Sequence, residues 1–309
     1  MNLPIKLELP DGFLEEEVRC DYFVSKQMKE VWAVELDLLN EFDRVCRENN
    51  ITYYASMGTM LGAIRHNGYI PWDDDIDVMM FRDQYDKLCK LTKEFHEPYF
   101  FQTEYTDPGS LRGHAQLRNS STTAIIRSEI ERKINQGIFI DIFPVDFLPE
   151  NKNERKEYIK KVLFTKKMLQ TFKSYSLKYD FDSGNLKKIL KTILYPLIWS
   201  LKKMCHIERL IYLYYEMLMK KYDNIHGNNV SIMIFLHEGK RVIWNISDFS
   251  GEPSYIPFEM FSIPVPSGYE NILSTLYGNW HKAVKADSFH GKLLLDPRNS
   301  YTQYTHKRN

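Results

Sequence analysis

Residues 53–81 read YYASMGTMLGAIRHNGYIPWDDDIDVMMF and set Asp73, Asp74, Asp75 and Asp77 directly ahead of the apolar run VMMF. Residues two apart in a strand point the same way, so Asp75 and Asp77 project together while Ile76 and Val78 point to the opposite face. Two carboxylates so placed repel, and one stays protonated unless a cation lies between them. An all-oxygen site of this kind suits Mg2+ or Mn2+, which keep positions open for a substrate phosphate. A Ca2+ loop would use Asp73, Asp75 and Asp77 as its positions 1, 3 and 5, but it needs Gly at position 6 and Glu at position 12. The chain has Val78 and Gln84 there, which excludes it. The ordinary alternative, a solvated acidic turn, fits poorly with the apolar residues behind, because carboxylates on a buried strand are costly.

Phosphoryl chemistry on a metal usually takes a third carboxylate from another strand, and GIFIDIFPVD supplies Asp141, alone in an apolar run. Asp146 follows Pro144 and reads as a turn residue. Upstream, SMGTMLG puts Gly58 and Thr59 at a strand-to-helix turn. Free backbone N–H groups and the helix dipole favour a phosphate at such a turn.

The elements that must position these residues follow from periodicity. Residues 25–48 predict a helix with Met28, Val31, Leu38, Phe42 and Val45 on one face, Ser25 as N-cap and Asn49-Asn50 as its end. ITYYASM (51–57) predicts a strand, 59–66 a short helix, DIDVMMF (75–81) a strand and 82–95 a helix. YFFQT, AQLRN and TTAIIR predict strands between 99 and 127, and 137–150 a further strand stopped by Pro144. The result is an α/β (α+β) core over 25–150, with a mixed sheet and flanking helices. Residues 1–24 are an N-terminal extension, 151–228 a basic helical subdomain, and 229–309 a segment packing on the core, with short strands in SIMIFL and KRVIW.

Lys plus Arg equals Asp plus Glu at 41 each, so the net charge calls for no nucleic-acid partner. The four cysteines, Cys20, Cys46, Cys89 and Cys205, have no zinc spacing and read as free thiols of a reducing cytosol. The N-terminus lacks a secretory signal, and the longest apolar stretch, 189–201, is too short for a membrane span and contains Lys191 and Pro196.

A Gly-Thr turn followed by Asp-apolar-Asp resembles the nucleotidyltransferase fold of polymerase-β-like enzymes. The longer wording GTMLGAIRHNGYIPWDDDIDV with GIFIDIFPVD resembles the LicD family of phosphocholine transferases, which is related to fukutin-type ribitol-phosphate transferases. QLRNSSTTAI (116–125), FSIPVPSGYENILSTLYGNW (261–280) and FHGKLLLDPRNSYTQY (289–304) resemble family segments, and 151–225 resembles none. The resemblance implies a nucleotidyltransferase-like catalytic core. It also implies Mg2+-dependent transfer of a phosphoalcohol, most often phosphocholine from CDP-choline, to a sugar hydroxyl of a cell-surface glycan such as lipopolysaccharide, teichoic acid or capsule. By motif position Asp75, Asp77 and Asp141 are the metal carboxylates and Asp73 a further acidic residue or base. Arg65, Arg118 and Arg127 are candidate phosphate clamps, with Arg118 preferred, because a guanidinium fork fits phosphate. Tyr69 and Trp72 are candidate walls of a choline cage. Lys187, Lys188, Lys191, Lys202, Lys203, Lys220 and Lys221 suggest peripheral contact with an anionic inner membrane face, where a lipid-linked acceptor would lie. Two alternatives stay open: a nucleotidyltransferase attaching a nucleoside monophosphate to a small molecule or sugar, and a non-catalytic glycan-assembly protein.

Overall fold

The structure, a computed structural model, describes residues 2–173, 206–225, 227–236, 242–282, 284 and 293–305. A hairpin, β1 (Glu17–Arg19) and β2 (Tyr22–Val24), leads into helix α1 (Lys26–Glu48), where the Ser25 hydroxyl accepts from Met28 N at 3.3 Å. The predicted apolar stripe understates the burial of α1: every residue from Lys29 to Leu39 is buried. Buried polar groups must be bonded, and these are. Lys29 pairs with Glu17, Glu30 with Arg298, Glu35 accepts from the Tyr69 hydroxyl, and Asp37 accepts from Lys6 N, Leu7 N and Tyr99.

The strand expected over 51–57 shortens to β3 (Tyr54–Ala55). The chain then turns at Met57, whose φ is 42°, and helix α2 (Met57–His66) starts two residues earlier than expected. Strand β4 (Asp77–Phe81) and helix α3 (Arg82–Leu88) follow, and the predicted helix over 82–95 breaks into α3 and a 3-10 turn at Thr92–Glu94. Then come β5 (Tyr99–Gln102), β6 (Ala115–Asn119), β7 (Thr123–Ile126) and β8 (Ile138–Phe147).

Ten-residue β8 is the spine of a seven-stranded mixed sheet. One of its edges pairs in parallel with β4, and β4 pairs antiparallel with β3. The other edge pairs antiparallel with β6, and β6 with β5. Farther along, the same edge pairs with β9 (Asn229–Ser231), and β9 with β10 (Trp244–Asn245). Of the predicted SIMIFL strand, Met233–Phe235 is a 3-10 turn.

Two expectations for β8 fail. Pro144 does not stop it. The Asp141 N–H donates to Ile76 O on the β4 side, and the Leu148 N–H to Asn229 O on the other side. N–H groups alternate sides along a strand, so residue 144 shares the side of residue 148. There the β6 ladder ends at Ala115–Ile142 and the β9 ladder begins at Asp146–Ser231, so the missing N–H falls in the gap. Asp146 is likewise no turn residue. It is fully buried in β8, and Arg82 binds it through two nitrogens at 2.6 and 2.8 Å.

The C-terminal part adds a hairpin, β11 (Ser254–Phe258) and β12 (Phe261–Val265), the helix Tyr269–Tyr277, and β13 (Leu293–Asp296), which pairs with β7. One core cluster fills the sheet region; a second joins helix α4 (Lys152–Lys173) to the helix Ile207–Met219. Of the lysines read as a membrane-facing group, Lys187, Lys188, Lys191, Lys202 and Lys203 lie outside the described residues. Lys220 pairs with Asp86 and Glu216, and Lys221 donates to the Tyr222 hydroxyl. Among the described residues no helix is long and apolar enough to cross a membrane.

Candidate metal and phosphate site

The acidic centre is made by register. In the parallel β4–β8 pair Asp77 stands directly opposite Asp141. Asp75, just ahead of β4, joins them, and one carboxylate oxygen from each lies within 4.8 Å of the others. Asp73, Asp74 and Asp75 form an adjoining group with the same spread. The start of β4 is tied down from behind: the Asp77 N–H donates to Thr59 Oγ1 at 2.8 Å, and Ser56 N–H donates to Asp77 O at 2.9 Å.

Burial pushes the Asp77 carboxyl well above the ordinary range, and the charges of Asp75, Asp141 and Asp73 push it further. Asp141 is treated differently. Burial would raise it too, but the His114 imidazole and the Gln116 amide outweigh that and hold it below its ordinary value. His114 Nε2 lies 2.9 Å and Gln116 Nε2 2.6 Å from the same oxygen, Asp141 Oδ1. Glu35, buried behind the aspartate loop, is raised by burial and by Asp75 and Asp74. So much converging carboxylate with one member driven toward protonation fits a divalent cation, which removes the repulsion. The oxygen-only donor set suits Mg2+ or Mn2+.

The structure sorts the other residues read from the sequence. Gly58 has ordinary backbone angles; what it supplies is room, since a Cβ there would meet Asp73 Oδ2 at 2.4 Å. Thr59 is buried and its hydroxyl oxygen is engaged by Asp77 N–H, so its side chain positions the acidic strand. The first intrahelical bond of α2 runs from Met60 N–H to Ser56 O, which leaves the N–H groups of Met57, Gly58 and Thr59 outside the helical ladder. Arg65, in the last turn of α2, donates to Trp280 O at 3.3 Å, and its Nε is a buried atom with no hydrogen-bond partner. The Tyr277 hydroxyl is raised first by burial and then by the charges of Asp77, Asp73 and Asp75. Trp72 is half-buried and meets Tyr22 edge to face at 5.9 Å. Arg127 is exposed in a 3-10 turn.

Two readings are corrected. Arg118 is no phosphate clamp: its side chain is buried, donates to Gln102 Oε1 and Gly137 O at 2.6 Å each and to Gln116 Oε1, and lies over the Phe139 ring. Tyr69 is no cage wall: it is buried, stacks on Trp32 with centroids 4.4 Å apart, and its hydroxyl donates to Glu35. The sequence reading also missed His114 and Gln116. Their signal was present, because His114, Gln116 and Arg118 are polar at every second position of HAQLR, the mark of one strand face. Glu259, at the β11–β12 turn, was missed as well. It accepts from Arg19 and from Tyr69 N, and so clamps the loop that carries the aspartates.

Comparison with known proteins agrees with this architecture. Residues 50–179 match the sequence model described as the LicD/FKTN/FKRP nucleotidyltransferase domain. The chain is 28% identical over 262 residues to the lipopolysaccharide cholinephosphotransferase LicD of Haemophilus influenzae, covering 82% of this chain and 91% of that protein. Over 60 residues it is 35% identical to an uncharacterized protein of Rickettsia prowazekii, 19% of this chain and 23% of that one. A similar protein of Rickettsia typhi is 44% identical over 60 residues, 19% of each chain. The paired Asp77 and Asp141 lie inside the matched segment, so the part of the chain that resembles the LicD family's domain is the part that builds the acidic centre.

Proposed function

We propose that this protein is a LicD-type phosphotransferase that moves phosphocholine from CDP-choline to a sugar hydroxyl of a lipopolysaccharide-type glycan, on the cytoplasmic side of the membrane and with Mg2+ or Mn2+. The observation that carries the reading is the convergence of Asp75, Asp77 and Asp141. The relative from Haemophilus influenzae, named a lipopolysaccharide cholinephosphotransferase, supports the phosphocholine and lipopolysaccharide parts of the reading.

Asp75, Asp77 and Asp141 would hold the cation. Bound there, it would neutralise charge on the donor diphosphate and on the transferring phosphoryl group. The remaining work falls to the chain itself. The N–H groups of Gly58 and Thr59 face the diphosphate at the start of α2, and Gly58 without a Cβ leaves room for the Asp73 carboxylate. The acceptor hydroxyl attacks in line at the phosphorus that bears choline. The bond from that phosphorus to the bridging oxygen breaks, and CMP leaves with the electron pair. Asp73, over Gly58, takes the hydroxyl proton as base. Arg65, in the last turn of α2, is the candidate donor to a phosphate oxygen.

The test is incubation with CDP-choline, Mg2+ and a lipopolysaccharide acceptor, followed by phosphorus NMR. CMP release with phosphocholine on the glycan is expected, lost in Asp77→Asn. Pyrophosphate release from CTP instead would place the protein among nucleotidyltransferases. Transfer that survives in Asp77→Asn and Asp141→Asn would end the carboxylate reading.

A further inference from the structure

The three ligand aspartates do not share one environment. Asp141 receives two side-chain donors, both on Oδ1, from His114 and Gln116. Register explains this: Gln116 of β6 stands directly opposite Asp141 of β8, and His114 lies two residues before it on the same face. The orientation of the Gln116 amide is chemically determined. Arg118 can only donate, and an ionised Asp141 can only accept. Gln116 therefore satisfies both only with Oε1 toward Arg118 and Nε2 toward Asp141, as found. Arg118 is itself held by Gln102 Oε1 and Gly137 O, and Gln102 by Asn135 O at 3.0 Å and Asp107 at 2.6 Å. The chain from the floor of the sheet to Asp141 is thus closed at each link. His114 packs its ring against Phe143 with centroids 4.9 Å apart, and its Nδ1 is buried without a hydrogen-bond partner. The contact with Asp141 is therefore the polar function of the ring.

We infer that His114 and Gln116 are positioning residues for metal binding, with Arg118 acting through Gln116. They fix Asp141 Oδ1 and so hold the carboxylate in the orientation in which it would meet the divalent cation. This rests on the metal reading of the carboxylates above. Groups that orient a ligating carboxylate change metal affinity by about 10–100-fold when removed. Arg118, the residue whose guanidinium invites a phosphate role, is then an anchor two contacts away from the cation.

The experiment is titration of the full chain with Mn2+, followed by the paramagnetic resonance signal of the free ion, with folding checked by circular dichroism. His114→Phe and Gln116→Leu are each expected to weaken Mn2+ binding by about 10–100-fold. His114→Gln keeps an N–H donor and is expected to recover most of that loss, which a change in packing alone would not do. The double variant Gln116→Leu, Arg118→Met is expected to bind no worse than Gln116→Leu, since residues acting in series are not additive. Should Arg118→Met fail to fold, the His114 pair still decides. Mn2+ binding that is equal in wild type, His114→Phe and Gln116→Leu but lost in Asp77→Asn would overturn this inference and leave the metal reading standing. Wild-type protein that binds no Mn2+ would overturn both.

Discussion

Asp77 and Asp141 face each other across one strand pair, yet the fold drives them in opposite directions. Asp77 is raised by burial and by its acidic neighbours, so the folded, metal-free chain holds a proton there that the unfolded chain releases near pH 4. A raised value means stability is lost as pH climbs from there through the folded value. In EDTA the melting temperature should therefore fall over that window. Asp77→Asn should flatten the fall, and added Mg2+ should restore stability most at the higher pH. A melting profile of Asp77→Asn that parallels wild type would refute this. Gly58 gives a second prediction at the same scale. Alanine favours a helix interior by up to about 1 kcal/mol, but its Cβ would displace the Asp73 carboxylate. Gly58→Ala should melt no lower than wild type while transfer drops about 100-fold, the cost of misplacing a reacting group. Equal loss of stability and activity would argue for a purely structural glycine.

Strands and helices are held in place by polar pairs that lie far from the site. Arg82, at the start of α3, and Asp146, in β8, are both buried and bonded through two nitrogens, which fixes the helix to the sheet. Removing one partner of such a pair leaves a buried charge uncompensated, at about 3–5 kcal/mol. Asp146→Ala should lose that much stability in urea denaturation, with Mn2+ affinity little changed in the fraction that stays folded. Loss of less than about 1 kcal/mol would mean that water reaches Arg82. Gly62 works at this scale too. A Cβ there would meet the Gly68 carbonyl oxygen at 2.4 Å, so its absence lets α2 lie against the loop that leads to the aspartates.

Across the whole molecule, residues beyond 225 are part of the machinery and not an appendix to it. β9 extends the β8 edge, β13 pairs with β7, and Glu259 clamps the loop behind the aspartates. A fragment ending at residue 150 would leave Asp146, Phe147 and Ile125 without the strands that pair with them. Such a fragment should show no cooperative transition in urea and no Mn2+ binding, whereas the full chain shows both. A sharp two-state transition in the fragment would contradict the role given to the C-terminal strands.

What the sequence by itself determined is local. Hydrophobic period and cap chemistry placed α1 and its Ser25 cap, and β-forming runs placed β4 to β8, because those signals act within a few residues. The acidic spacing marked Asp75 and Asp77, a lone charge in an apolar run marked Asp141, and the structure brings the three together. Tertiary structure alone decided which polar residues face the site and which face the interior. Arg118 and Tyr69 carry the right chemistry for a ligand, but cross-strand register and ring stacking bury both. Pro144 and Asp146 read as a strand end, and the handover from β6 to β9 on one edge of β8 keeps both within it. Pairing between residues twenty-five or more positions apart leaves no periodic trace in either segment, so the donors on Asp141 emerge only when β6 and β8 lie side by side.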